Sequence, residues 1–125
     1  MKTITVITAL TILGACVPNT PQNNPHTTVV STQGATLTKA QMRQAAAAVG
    51  SKLRDPRSAQ YGNISGAILT YGDGSKRLAA CGLVNGKNAY GAYVGNSMYL
   101  VMYADRGGAV AIMKAEQVCR KYGIM

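Results

Sequence analysis

The chain has 125 residues, enough for one small domain with a thin stability margin, and its 13 lysines and arginines against 4 acidic residues give a formal net charge of +9. The carboxylates, Asp55, Asp73, Asp105 and Glu116, are scattered, and the single histidine, His26, lies among prolines and amides far from them. No pair suits general acid and base work and no Ser-His or Cys-His dyad can be assembled, so an enzyme is not expected, nor a cofactor or a metal site.

Lys2 gives a positive start, and Ile4 to Leu13 is an apolar stretch interrupted only by threonines. Such a stretch has the size of a signal-peptide core and is too short to cross a bilayer, which takes about 20 apolar residues. It runs into Leu13-Gly14-Ala15-Cys16, which resembles the bacterial lipobox: an aliphatic residue, two small residues and the cysteine. The resemblance implies that residues 1–15 are a signal peptide and that Cys16 carries diacylglycerol and an acyl chain such as palmitate. In the enteric pattern, an aspartate directly after the lipidated cysteine retains the protein in the inner membrane. Here Val17 and Pro18 stand there, so outer-membrane attachment facing the periplasm is expected.

Three cysteines are an odd number for an exported protein. With Cys16 lipidated, Cys81 and Cys119 remain, and an oxidising compartment favours their joining, the alternative being two reduced cysteines packed as small hydrophobes. Residues 16–36 read as a tether: Pro18, Pro21 and Pro25 stand among Asn, Gln, Thr and Ser, with little apolar beyond Val29 and Val30. Twenty flexible residues reach roughly 25 Å, which would keep the domain close to its own membrane.

Residues 37–125 read as a small α+β domain. Thr38 with Gln41 three residues on forms a capping box, with Leu37 and Met42 placed for a hydrophobic staple. The alanines 45–48 continue the helix, Val49 and Leu53 extend its apolar face, and Asp55-Pro56 ends it near Arg54. Ala67–Tyr71 and a run from Lys76 to Val84 are strands around a Gly72–Ser75 turn. Asn85–Asn88 reads as a second turn, Tyr90–Val94 as a third strand, Gly95–Ser97 as a third turn and Met98–Tyr103 as a fourth strand. Connections this short make an antiparallel meander of three or four strands. Tyr99, Val101 and Tyr103 share one face of the last strand and Met98, Leu100 and Met102 the other, so both faces should be partly covered. Residues 111–122 read as a C-terminal helix, with Gly123 at the C-cap.

Leu53-Arg54-Asp55-Pro56-Arg57-Ser58-Ala59-Gln60-Tyr61 and Cys81-Gly82-Leu83-Val84-Asn85-Gly86-Lys87-Asn88-Ala89-Tyr90-Gly91-Ala92-Tyr93-Val94-Gly95 resemble two blocks of a group of small, uncharacterised proteins of Gram-negative bacteria and their prophages. There, a Leu-x-Asp-Pro-x-Ser-Ala helix end precedes a Cys-Gly-x-Val-Asn-x-Lys-Asn-x-Tyr-Gly-x-Tyr-x-Gly hairpin. The resemblance implies an exported α+β domain and supplies no catalytic residue. The long tether and lipobox depart from it.

The candidate binding patch is Asn85, Lys87, Asn88, Tyr90 and Tyr93, since tyrosines with nearby Lys and Asn make good contact surface; turn chemistry alone also accounts for the asparagines and glycines. Gly72-Asp73-Gly74-Ser75-Lys76 lacks the spacing of a phosphate loop and reads as a turn. Loss of Lys2 with the signal peptide leaves 12 of the 13 basic residues against 4 acidic ones, net +8, and Arg43, Lys52, Arg54 and Arg57 gather around the first helix. That balance favours anionic lipid, glycan or an acidic protein; nucleic acid fits the charge but not the compartment, and basic lysozymes would be repelled. The function expected is a non-enzymatic, lipid-anchored envelope protein with a basic binding domain, the alternative a prophage-encoded exclusion or secretion-accessory lipoprotein.

Overall fold

Helix α1 (Lys39–Gly50) starts where the Thr38/Gln41 spacing puts it: Thr38 N–H donates to Gln41 Oε1 at 2.8 Å and Gln41 N–H donates to Thr38 Oγ1 at 3.2 Å. The computed structural model describes residues 27–125; the expected signal peptide, Cys16 and His26 lie outside the described residues. The helix stops at Gly50, short of the expected limit at Arg54. Packing ends it: Gly50 is buried with Pro56 and the Tyr61 hydroxyl close by, and the chain tightens as Leu53 N–H donates to Gly50 O.

The sheet has five strands in the order β1-β2-β3-β4-β5, every neighbour antiparallel: β1 (Val29–Ala35), β2 (Gln60–Tyr71), β3 (Lys76–Lys87), β4 (Tyr93–Tyr103) and β5 (Ala109–Met113). The class is α+β and the meander stands, but with five strands instead of three or four. Several expectations are corrected. Residues 29–35, assigned to the tether, form an edge strand paired with Tyr71 to Gly66, so a strand precedes the first helix. Asn85–Asn88 is not the turn and Tyr90–Val94 is not a strand of its own, because β3 runs on to Lys87, the turn falls at Asn88–Ala92, and β4 runs from Tyr93 straight through Gly95–Ser97. Residues 109–113 are β5, and the C-terminal helix α2 is confined to Glu116–Lys121. Lys114, at φ 57°, turns the chain between them.

Two bulges bend the sheet at the end where β2 begins. Tyr61 pairs with Val84 and Ile64 with Gly82, so Gly62 and Asn63 together face Leu83. Asn85 pairs with Asn96 and Lys87 with Tyr93, so Val94 and Gly95 face Gly86. Gly95, expected in a turn, is the positive-φ residue of this second bulge, at 96°.

Each face of the sheet carries its own core. Val101, Tyr99 and Tyr103 pack with Ala45, Val49 and Leu37 under α1, whereas Ala67, Leu69, Cys81 and Leu100 pack with Cys119, Ala115 and Ile124 under α2. The alternation along β4 therefore reads as the sequence implied. Cys81 and Cys119 are joined, their α-carbons 6.1 Å apart and both fully buried. The last helix closes in a Schellman motif: Ile124 N–H reaches Cys119 O, Gly123 N–H reaches Arg120 O, and Gly123 has φ 64°.

Candidate binding surface

The β3–β4 hairpin projects a five-residue loop, Asn88 to Ala92, at the end of the sheet where β2 begins. Asn88 organises it. Its Oδ1 accepts from Tyr90 N–H at 2.9 Å and from Ala92 N–H at 3.1 Å, and its own N–H donates to Ala92 O at 2.9 Å. Asn85 does similar work at the bulge, where its Oδ1 accepts from Gly95 N–H at 3.1 Å. Both asparagines thus spend side-chain acceptors on backbone, Asn88 in an Asx-type turn and Asn85 across the β3–β4 bulge. Tyr90 emerges from the loop 94 % exposed.

Tyr93 links this loop to the segment after α1. Its hydroxyl donates to Ser58 O at 2.8 Å, and the Lys87 ammonium stands 5.2 Å from its ring centroid, within the range of a cation–π contact. Leu53 approaches Gly86 from the same side, 3.4 Å from where a β-carbon would stand. The two sequence blocks 53–61 and 81–95 therefore converge on one end of the sheet. Lys52, Arg54 and Arg57, all exposed, flank Leu53 and Ser58 in the sequence, on the segment that Tyr93 bonds, while Arg43 lies back along α1. The sequence suggested two separate clusters; the Tyr93–Ser58 bond, spanning 35 positions, makes them one surface.

A second group of tyrosines is structural. Tyr103 donates to Gln41 O at 2.9 Å and Tyr61 to Ala46 O at 3.0 Å, seating α1 on the sheet. Tyr99 lies between them, and burial, with Tyr61 and Tyr103 as neighbours, pushes its phenol up to about 12. Glu116 accepts from Met98 N–H at 3.2 Å; hydrogen bonds from its own N–H and that of Met98, then Lys114 and Arg120, hold its carboxyl below the ordinary value. Glu116 therefore pins α2 to β4 and serves no site at the loop.

Asp73, Ser75, Arg77, Tyr71 and Thr27 line an open depression at the opposite end of the sheet. There, Asp73 Oδ1 accepts from Ser75 N–H at 2.9 Å and Ser75 Oγ at 2.6 Å, so the Gly72–Ser75 segment is a hairpin turn. A groove of about 490 Å³ between β1, β2 and the start of α1 is of mixed character, with Leu37, Met42, Ile64 and Ile124 beside Thr36, Ser65 and backbone on its walls. Comparison with family models, with curated proteins and with solved structures gives no match to this chain.

Proposed function

We propose that the chain is a non-enzymatic, lipid-anchored protein of the bacterial envelope, held at the outer membrane through Cys16 and presenting a basic, tyrosine-bearing surface to an anionic partner. The observation that carries the binding half is the bond of the Tyr93 hydroxyl to Ser58 O with Lys87 over the Tyr93 ring, which joins the hairpin that bears the exposed Tyr90 to the segment that bears the exposed Lys52, Arg54 and Arg57. The anchoring half rests on Leu13-Gly14-Ala15-Cys16 at the end of the apolar stretch. The Cys81–Cys119 bond supports it: a disulfide suits an oxidising compartment, and it leaves Cys16 as the one cysteine with another use.

The surface suits binding better than chemistry. The only carboxylate within blocks 53–61 and 81–95 is Asp55, and the asparagines are engaged with backbone, so among the described residues no acid and base pair stands beside the tyrosines. Mass spectrometry of the protein from its native membranes tests the anchor: Cys16 should be the first residue and should carry acyl chains, and an unmodified Cys16 contradicts the proposal. Density-gradient separation tests its location, with recovery among inner-membrane markers as the contrary result.

A further inference from the structure

The two faces of the sheet are covered unequally. Helix α1, with twelve residues, packs against β4 and β5 and buries Ala111, which is only 4 % exposed. Helix α2 has six residues and packs chiefly against β4. On the α2 side β5 therefore keeps an open apolar face. Val110 and Ile112 are 63 % and 51 % exposed. Their register partners on β4, Met102 and Leu100, pack with the core under α2, so all four side chains share that face. An aliphatic strip thus runs from the core, past a half-buried Met102, to two exposed β-branched residues at the edge of the sheet.

Basic residues occupy the same layer. Arg77 pairs with Leu69, a member of the core under α2, and so projects from that face. Lys114 stands where the chain leaves β5 for α2, and Arg120 and Lys121 lie in the last turn of α2. All four are exposed. The carboxylates nearest to them are engaged in the fold: Glu116 accepts from Met98 N–H, and Asp73 accepts from Ser75. Asp105 and Arg106, adjacent in the β4–β5 turn, offset each other in charge. The layer as a whole is basic.

Exposed aliphatic side chains among long cations match one kind of surface. Valine and isoleucine gain by leaving water at the boundary of a hydrocarbon phase, while lysine and arginine lay their stems along that boundary and keep their charges at the depth of the phosphates. Each such cation is worth about fivefold in binding to an anionic leaflet.

We propose that the α2 face, through Val110 and Ile112 and the cations Arg77, Lys114, Arg120 and Lys121, seats the domain on the headgroup region of an anionic phospholipid bilayer. Helix α1 then lies on the side of the sheet away from the lipid. The inference stands on this face alone and needs neither the Cys16 anchor nor the tyrosine-bearing surface.

The chain has no tryptophan, so a single indole can report on each face of the full-length protein. Ile112→Trp places it on the α2 face, and Met42→Trp places it on α1, at a residue that is 43 % exposed. Each protein is mixed with vesicles of phosphatidylcholine alone or of phosphatidylcholine with phosphatidylglycerol, both containing brominated phosphatidylcholine as a quencher. The indole at position 112 should shift to the blue and be quenched with the anionic vesicles only, whereas the indole at position 42 should show neither effect. Adding Arg77→Ser or Lys121→Ser to the Ile112→Trp protein should weaken the response by about fivefold for each charge removed. No response at position 112, an equal response with neutral vesicles, or equal quenching at position 42 overturns the proposal. So does a blue shift at position 112 that grows with protein concentration in the absence of vesicles, since the strip would then pair two copies of the chain. Both reporters carry the same N-terminal segment, so their difference reads the face and not the anchor, which the mass of Cys16 tests separately.

Discussion

Tyr99 occupies the space in which a β-carbon on Gly82 would stand, and the two residues are register partners on β4 and β3. The phenol crosses the neighbouring strand because that strand offers no side chain, and it reaches towards α1, where Tyr61 and Tyr103 already bond to helix carbonyls. Gly82→Ala should therefore displace a buried ring, at a cost of about 1–3 kcal/mol typical of overpacking. Tyr99→Phe removes the atom that meets the new methyl group first. The double variant should accordingly lose less stability than the two single losses added together. Urea unfolding of the four proteins checks this, and strict additivity would contradict the proposed contact.

The same tyrosines set an alkaline limit. Burial raises Tyr61 and Tyr103, and Tyr99 is pushed up to about 12 by burial first and by those two neighbours second. The folded state thus holds these protons more tightly than the unfolded chain, whose phenols ionise near 10. The resulting stability is fully present below about pH 10 and is lost as pH rises through about 12. Absorbance titration should show exposed tyrosines ionising first and a late fraction ionising together with loss of structure. All 7 tyrosines ionising near pH 10 in a folded protein would be the contrary result.

The features legible in the sequence are those fixed by local chemistry. Thr38 and Gln41 need only each other, the Gly72–Ser75 turn only its own residues, and the cysteine pairing only an odd count. What escapes a reading of the sequence is decided by distant partners. Ser31, Thr32 and Gln33 have the composition of a spacer because β1 is an edge strand exposed along most of its length, so no alternation marks it. Ala109–Met113 combines helix-favouring alanine and methionine with Val110 and Ile112, and pairing with β4 settles the matter. Gly95 takes the positive φ of a bulge as readily as that of a turn, so its residue type alone does not show that β4 continues through it. At the site, residue types between Asn85 and Tyr93 are visible in the sequence, but their junction with Ser58 and its basic neighbours depends on a bond across 35 positions.

The Cys81–Cys119 bond closes a loop with a sequence separation of 38 and ties the centre of β3 to α2. The double change Cys81→Ala with Cys119→Ala should cost about 3–4 kcal/mol, chiefly by freeing the denatured chain. In a domain this small that is a large part of the total. Denaturation of the parent chain in the presence of reductant should move towards the variant's curve, while the variant itself should not respond. A reductant-insensitive parent with a midpoint equal to the variant's would show that the bridge adds nothing.

Asn88 separates the shape of the loop from the stability of the core. Its side chain accepts two backbone N–H groups, those of Tyr90 and Ala92, and all three residues are exposed, so this acceptor adds to the backbone bonds Asn88 N–H to Ala92 O and Gly91 N–H to Asn88 O that close the loop. Asn88→Ala leaves both donors to water. Since water can replace the lost partner at an exposed site, the global cost should stay within about 1 kcal/mol. Locally the effect should be larger: amide exchange at Tyr90 and Ala92 should accelerate, because local opening no longer breaks the Asx-type bonds. Binding of the anionic partner proposed above should weaken by several-fold, because ordering Tyr90 then falls to the binding step. Asn88→Asp keeps the acceptor but adds a negative charge beside Lys87, so it should preserve the slow exchange and still weaken binding. Equal binding by all three proteins would detach the loop's conformation from recognition and leave the basic residues alone to carry it.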